Sequence, residues 1–143
     1  MLIAHVLRDK GAAVFTLTSD VTLESAAREL HTRKVGALVV LDDAGAVIGV
    51  LSERDVVREV ARRGEKALGD RVSAAMSRSV ITAHGQETID EGLARMTDRR
   101  VRHLPVVEDG RLLGIISIGD LVKHKIAAAE AESAAMQAYI SAH

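Results

Sequence analysis

Residues 49–55 read GVLSERD, and residues 114–120 read GIISIGD. In each stretch a glycine and strand-forming residues come before Ser-x-x-Asp, and a helical pattern follows. A serine three residues before an acid is a common helix cap, because the serine accepts a first-turn N–H and the acid reaches back to it. Capping boxes favour glutamate at the third position, yet both copies have aspartate. From this chemistry alone, a helix cap and a binding site remain open alternatives.

The repetition extends over most of the chain. VFTLTSDVTLESAARELHTRKVGALVVLDD, residues 14–43, aligns with VITAHGQETIDEGLARMTDRRVRHLPVVED, residues 80–109, at a shift of 66 residues. After the extra Ala44 the shift becomes 65 residues. The segments that precede the two copies also align at the first shift, with Val6 opposite Val72.

Each copy has the hydrophobic pattern of a β-α-β-β-α unit. The predicted strands are 14–17, 37–41 and 46–51 in the first copy, and 79–82, 103–107 and 112–117 in the second. The predicted helices are 23–33 and 89–99, opened by Thr22 and Thr88, and a further helix after Ser52 and after Ser117. Asp43-Ala44-Gly45 and Asp109-Gly110 are predicted hairpin turns.

These elements predict an α+β fold with mixed sheets, in which two units pack face to face with pseudo-twofold symmetry. We expect residues 1–66 to form the first repeat with an N-terminal helix, residues 67–124 the second with its lead-in helix, and residues 125–143 a helical tail. In the tail, Ile126, Ala129, Ser133, Met136 and Ile140 share one face. This thin seam favours packing on its own domain or on a twin subunit over a strong coiled coil.

Composition excludes several classes of function. The 143 residues carry a formal net charge of −1, with one Phe, one Tyr, no Trp and no Cys. Neither a basic field nor aromatic stacking platforms for nucleic acid are expected, nor is thiolate chemistry. No signal peptide or membrane-spanning run is recognisable, so we expect a cytoplasmic protein with neither nucleic acid nor membrane as partner.

A strand-to-helix turn gives the Ser-x-x-Asp stretches a second interpretation. The N-terminus of a helix directs N–H groups and a positive dipole end at one spot, which suits a phosphate. A serine hydroxyl adds a donor, and a carboxylate one turn later suits the two hydroxyls of a ribose. Gly119 permits close approach beside Asp120, and Arg102 with His103 could face the phosphate. A solvated helix end is the alternative interpretation of that basic pair.

Taken together, the repeated G-h-h-S-x-x-D ending, the HLPVV strand and the β-α-β-β-α order resemble the CBS-domain family over residues 1–124. Two such repeats form a pair called a Bateman module. The resemblance implies two clefts between the repeats for adenosine-containing ligands: AMP first, then ADP, ATP, NAD(H) or S-adenosylmethionine. In these clefts, the resemblance implies, the motif aspartate holds the ribose hydroxyls and the motif serine or threonine lies beside the phosphate. It also implies a disc-like homodimer.

Carried over by position, the resemblance assigns two groups of nucleotide-binding residues. The first group is Thr16, Gly36, Ala37, Ser52, Arg54 and Asp55. The second group is Thr82, Arg102, His103, Pro105, Ser117, Gly119 and Asp120. Because Gly36-Ala37 stands where the second copy has Arg102-His103, we expect the second group to bind phosphate better. Pro105 removes a ladder donor, as suits an edge or site-lining strand.

The chain is therefore expected to be a regulatory sensor that passes ligand occupancy to an unknown effector protein, with no catalytic cofactor. Two alternatives remain: an interaction or assembly module with vestigial clefts, and a nucleotide hydrolase. Against catalysis, residues 64–69 have P-loop glycine spacing but lack the Lys-Ser/Thr that follows it. The six histidines show no metal-ligand spacing, and no G-x-S-x-G elbow supports a hydrolytic triad.

Overall fold

The computed structural model describes residues 1–11 and 14–143. Within these residues the α+β class and the predicted element order are confirmed, apart from one strand and the lead-in helix of the second copy. The elements are α1 Ile3–Lys10, β1 Thr16–Thr18, α2 Leu23–Arg33, β2 Ala37–Leu41, β3 Val47–Ser52, α3 Glu53–Arg63, α4 Ile89–Arg99, β4 His103–Glu108, β5 Arg111–Ser117 and α5 Ile118–Ala142. Two 3₁₀ turns, Gly64–Gly69 and Val72–Ala74, connect α3 to the second copy.

The helices α2 and α4 have the predicted bounds because local signals define both ends. Thr22 and Thr88 accept first-turn N–H groups, from Ser25 at 3.2 Å and from Glu91 at 3.1 Å. Each helix ends at a residue in the left-handed region, Lys34 or Arg100, with φ of 55° at both. The cap N–H there turns back to carbonyls of the last turn and stops the helix.

The first copy has a three-stranded sheet with β2 in the centre. Strand β1 pairs parallel to β2, with Thr16 opposite Val39, and β3 pairs antiparallel, with Ala37 opposite Ser52. One face of this sheet packs on α2 and on the segment after α3. The buried residues of this core are Leu23, Ala26, Val40, Leu51, Ala67, Val72, Ala75 and Met76.

In the second copy β4 and β5 form a two-stranded sheet, and the predicted strand 79–82 is wrong. A single parallel bridge joins Ala83 to Val106. In it, Ala83 donates to the carbonyl of Pro105 at 2.9 Å and accepts from Val107 at 3.0 Å. Extending the ladder toward residue 81 requires an N–H from residue 105, which proline lacks. The equivalent residue of the first copy, Val39, has that N–H, and there the strand forms.

The segments before the two copies pack on the opposite copy. Ile3 donates to the carbonyl of Glu87 at 2.9 Å, and Val72 donates to the carbonyl of Val21 at 2.8 Å. These bonds make Ile3, and not Val6, the equivalent of Val72, so the predicted lead-in register is wrong by three residues. The second segment is also a 3₁₀ turn, not the expected helix. Sequence similarity misplaced the lead-ins because their register is set by partners distant in the chain.

The chain divides into two compact units. One contains α1, α4, β4, α5 and most of β5, and the other contains β1, α2, β2, β3, α3 and both 3₁₀ turns. The predicted domain boundaries at residues 66 and 124 divide the chain into contiguous repeats, whereas each compact unit combines separate segments of the chain. These boundaries stay a prediction.

Helix α5 continues well past the body of its unit. Leu121 is buried and His124 is half-buried, but every residue from Lys125 to the end is exposed. The tail therefore does not pack on its own domain, which was one of the two expectations for its apolar seam. No helix in the described residues is both long and apolar enough to cross a bilayer.

Candidate functional site

The first motif turn lies where β3 ends and α3 begins. Asp55 donates its N–H to Ser52 Oγ at 3.3 Å, and Asp55 Oδ2 accepts the N–H of Ser52 at 2.8 Å. Aspartate thus completes a reciprocal capping box although its side chain is one methylene shorter than glutamate. The Ser52 hydroxyl also donates to Asp55 Oδ2 at 3.1 Å, so serine and carboxylate form one hydrogen-bonded group.

The second motif turn repeats this geometry between β5 and α5. Asp120 donates its N–H to Ser117 Oγ at 3.1 Å, and Asp120 Oδ2 accepts the N–H of Ser117 at 2.8 Å. Both Ser-x-x-Asp stretches are therefore helix caps. The capping interpretation explains why serine and aspartate recur, and a binding function has to rest on further features of the turns.

One backbone N–H in each turn is not used by the cap. The first N–H groups of a helix have no intrahelical acceptor. In both turns the residue after the serine donates to the carbonyl just before the facing strand: Glu53 to Gly36 at 3.0 Å, and Ile118 to Arg102 at 2.8 Å. The capping box provides acceptors for the N–H groups of the serine and the aspartate. Of the N–H groups from the serine to the aspartate, this leaves the one of Arg54 in the first copy and of Gly119 in the second, at the positive end of the helix dipole.

In the first copy, a cation three residues along the helix pairs with the motif carboxylate. Arg58 Nη1 lies 2.8 Å from Asp55 Oδ1, and Arg58 Nη2 donates to the carbonyl of Ala75 at 2.9 Å. The Asp55 side chain is only 13% exposed. Both of its carboxylate oxygens accept hydrogen bonds, Oδ1 from Arg58 and Oδ2 from the N–H of Ser52. Arg58 was missed as a site residue, although its i, i+3 spacing from an acid was visible in the sequence.

In the second copy the cation comes from the other end of the chain. Lys10, the last residue of α1, places Nζ 2.7 Å from Asp120 Oδ2 and donates to the carbonyl of Ile115 at 2.9 Å. The Asp120 side chain is 25% exposed. No sequence signal pointed to Lys10, because the pair is 110 residues apart.

These neighbours shift the protonation of Asp120. Burial by itself raises the pKa of this carboxyl, but hydrogen bonds from Lys10 and from the N–H of Ser117, with the charge of Lys10, outweigh burial. The net effect lowers the pKa of Asp120 below its ordinary value. The second motif therefore presents an ionised carboxylate beside an ammonium group.

The two motif glycines have a packing role. A Cβ on Gly49 would lie 2.5 Å from Met76 Sδ, and one on Gly114 would lie 2.7 Å from Leu7 Cδ2. Leu7 lies on α1, before the first copy, and Met76 lies in the segment before the second copy. The missing side chains of Gly114 and Gly49 therefore let these two segments pass close to β5 and β3, respectively. Gly119 differs, since its Cβ would meet only Ser117 Oγ at 3.6 Å. The fold does not require glycine at 119, which leaves space beside Asp120.

The other predicted residues of the first copy lie at different distances from the turn. Gly36 and Ala37 adjoin Ser52 directly, through the Glu53 hydrogen bond and the strand register. Thr16 lies on the outer strand β1, opposite Val39. Arg54 is exposed on α3.

In the second copy, Arg102 contacts the turn through its backbone and is exposed. His103 begins β4, and Pro105 lies two residues further along that strand. The carbonyl of Thr82 accepts a hydrogen bond from Arg95 at 2.9 Å, which connects this residue to α4. The roles of these residues in ligand binding remain predictions.

A cavity of about 730 Å³ lies in the first copy between the end of α2 and the start of α3. Leu30, His31, Lys34, Gly36 and Val57 are among the residues that line it. It shares Gly36 with the candidate site but does not include Ser52 or Asp55. Among residues 1–11 and 14–143, no cluster of histidine and acidic side chains could hold a metal ion.

Comparison with known proteins explains the repeated turn. The sequence model of the CBS domain matches residues 10–62 and 72–127. The chain belongs to the CBS-domain family. The resemblance inferred from the two motifs is thereby confirmed, and the chain carries a tandem CBS pair.

Relatives share this pair over most of their length. The CBS-domain containing protein ATU1752 from Agrobacterium tumefaciens has 44% identity and a TM-score of 0.84, covering 87% of this chain and 92% of its own. The mitochondrial CBS domain-containing protein CBSX3 of Arabidopsis thaliana is 30% identical, covering 96% of this chain and 71% of its own. The CBS domain pair of protein MJ0100, solved in complex with 5′-methylthioadenosine and S-adenosyl-L-methionine, has 25% identity and a TM-score of 0.77, covering 86% and 94% of the two chains.

Proposed function

We propose that this CBS pair is a regulatory sensor, not a catalyst, which binds adenosine-containing ligands at its two Ser-x-x-Asp turns. The observation that carries the proposal is the duplicated turn itself: in each copy an aspartate is held beside a helix N–H that the cap does not use. The carboxylate is a suitable acceptor for ribose hydroxyls, and the N–H is a suitable donor to a phosphate. The ligands of the MJ0100 pair, both of which contain adenosine, support this ligand class.

We infer that the Asp120 turn binds the more strongly charged ligand. Lys10 Nζ lies 2.7 Å from Asp120 Oδ2, and the facing strand β4 begins at His103, directly after Arg102. In the first copy Gly36-Ala37 replaces that basic pair, and Arg58 is bound to both Asp55 and Ala75. AMP, ADP, ATP and NAD(H) are therefore proposed for the second turn. The first turn is proposed to take a weaker or less charged ligand.

The proposed mechanism is a population shift. A ligand that binds one arrangement of a homodimer more tightly favours that arrangement, and an effector protein reads the difference. If saturating ligand changes neither the solution scattering of the protein nor its affinity for the effector, this mechanism is wrong.

Titration calorimetry of wild type, Asp55→Ala and Asp120→Ala with AMP, ADP, ATP, NAD, NADH and S-adenosylmethionine tests the ligand class. We expect at least one ligand to bind, and Asp120→Ala to lose more affinity than Asp55→Ala. The matched control is Glu91→Ala, which removes an acid at the same helical position of the Thr88 cap, outside both turns. Equal losses from both aspartate variants would remove the ranking of the two turns.

One observation favours a second candidate, an assembly module with vestigial sites. Both motif carboxylates already pair with cations of the same chain, Arg58 and Lys10. A thermal-shift screen separates the candidates, because a ligand at a hundredfold excess over its dissociation constant stabilises the folded state by about 2.7 kcal/mol. An absence of stabilisation by every adenosine ligand would favour the assembly module.

A further inference from the structure

The exposed outer face of α5 carries a regular apolar seam. Val122, Ile126, Ala129, Ser133, Met136 and Ile140 follow one another at steps of 4, 3, 4, 3 and 4 residues. Steps that alternate in this way have the heptad period of a helix that packs along another helix. Val122, Ile126, Met136 and Ile140 are 40%, 53%, 57% and 66% exposed, so the described part of the chain leaves this seam uncovered.

Charged residues flank the seam on both sides, and on each side a lysine comes before a glutamate along the helix. At 3.6 residues per turn, Lys123 and Glu130 fall on one flank, and Lys125 and Glu132 fall on the other. Both lysines precede both glutamates, and the residues between and beyond them in the tail are uncharged. Each flank thus has a positive end and a negative end, about two turns apart.

This order suits an antiparallel pairing of α5 with itself. A twofold axis between residues 127 and 128 sets Ile126 against Ala129 and Val122 against Ser133, so that a large residue meets a small one in each layer. It also brings Met136 across from Gly119. On the flanks it brings Lys123 beside Glu130 and Lys125 beside Glu132 of the second copy, which makes four opposite-charge pairs for the dimer.

We propose that α5 pairs antiparallel with α5 of a second copy of this chain, along the stretch from Gly119 to Met136. The proposal rests on the homodimer named above and specifies its contact. Lys125 pairs with Asp90 in the single chain, but both side chains are more than half exposed. Exchanging that pair for Glu132 of the second copy costs little, because exposed ion pairs contribute little to stability.

A parallel, in-register pairing fits less well. It sets Ala129 against Ala129 and Ser133 against Ser133, where two small residues leave gaps. It also aligns only Lys125 with Glu130, which gives two opposite-charge pairs in place of four. Layer packing and charge both favour the antiparallel arrangement.

The first experiment measures the dimer dissociation constant of the full chain by analytical ultracentrifugation. Ile126→Asp is expected to raise this constant at least tenfold. Ala131→Asp, the matched control, adds the same charge on the opposite face of α5 and is expected to change it less than twofold. Because residues 126 and 131 are both exposed, neither variant should alter the fold, which circular dichroism checks. A wild type that stays monomeric, or equal effects of the two variants, would overturn the proposal.

A charge-exchange experiment tests the pairing itself. One chain carries Glu130→Lys and Glu132→Lys, and the other carries Lys123→Glu and Lys125→Glu. Each chain alone is expected to dimerise at least tenfold more weakly than wild type, because like charges then face one another. An equimolar mixture is expected to form a heterodimer at least as tight as the wild-type dimer. No gain on mixing would contradict the proposed contact.

The orientation can be measured with spin labels, since the chain has no cysteine to remove. Labels on Ala142→Cys should lie about 40 Å apart in the antiparallel pair, because each is about 15 residues from the axis. A distance of about 10 Å would show a parallel pair and overturn the orientation. If α5 variants leave dimerisation unchanged while adenosine ligands still bind, this contact is wrong and the proposed sensor function stands.

Discussion

Lys10 Nζ lies 2.7 Å from Asp120 Oδ2, so the end of α1 supplies the counter-charge for an aspartate at the start of α5. The same nitrogen donates to the carbonyl of Ile115 on β5. These bonds connect the N-terminal helix to both sides of the second motif turn. The state of Asp120 is therefore coupled to a segment that precedes both repeats.

Replacing Lys10 with methionine should lower the free energy of unfolding at neutral pH by roughly 0.5 kcal/mol, since the pair is partly exposed and screened by solvent. The folded state lowers the pKa of Asp120, so the stabilisation is present above the unfolded pKa and is lost as pH falls through the folded pKa. Urea unfolding of wild type and Lys10→Met at neutral and at acidic pH measures this difference. The control is Lys66→Met, an exposed lysine of the other unit. A Lys10→Met effect that persisted below the folded pKa would contradict the assigned cause.

The motif glycines should tolerate alanine unequally. A Cβ at Gly49 meets Met76 Sδ at 2.5 Å and the backbone carbonyl of Ser77 at 3.1 Å, whereas the three atoms nearest to one at Gly114 all belong to the flexible end of Leu7. We expect Gly49→Ala to cost about 1–2 kcal/mol through overpacking, and Gly114→Ala to cost less.

Thermal or urea denaturation measures both glycine variants. Gly69→Ala is the control, because its added Cβ meets nothing within 4 Å. Gly114→Ala should cost less stability when it is made in a Leu7→Ala background than in the wild type, because the shortened side chain no longer meets the new Cβ. Equal costs at Gly49, Gly69 and Gly114 would show that close packing does not explain the repeated glycine.

Serine variants can separate capping from binding. Ser117→Ala and Thr88→Ala each remove a side-chain cap that accepts a first-turn N–H, so each should cost about 1 kcal/mol of stability. Only Ser117→Ala is expected to weaken binding of a phosphate-bearing adenosine ligand in calorimetry. If the two variants bind ligand equally, the serine is a cap and no more.

Pro105→Val should extend the single bridge of the second copy toward a strand. Valine restores the N–H that the ladder requires and is the residue found at the equivalent position 39. In hydrogen exchange, the new amide of residue 105 should be protected to a degree similar to that of residue 107, which already donates to Ala83. Rapid exchange at residue 105 would mean that another feature ends the ladder.

Helix bounds, hairpins and the repeat were predictable because short-range signals specify them. Thr22 and Thr88 cap helices that begin at the next residue, and Asp109-Gly110 forms its hairpin with two positive φ angles, 50° and 74°. The family could be inferred for a related reason, since Ser-x-x-Asp after a glycine-containing strand recurs in the same local context. One Ser-x-x-Asp stretch is only a common helix cap, but its recurrence in the same context made it specific for the CBS family.

The sequence by itself therefore determined the α+β class, the element order, the two capping turns and the membership of the CBS family. Only the tertiary structure decided that the lead-in segments pack on opposite copies, that Lys10 neutralises Asp120, that Gly49 and Gly114 accommodate Met76 and Leu7, and that one strand shrinks to a bridge. These features depend on contacts between residues far apart in the chain. Local propensity and periodicity carry no information about such contacts, so they emerge only when the chain is folded.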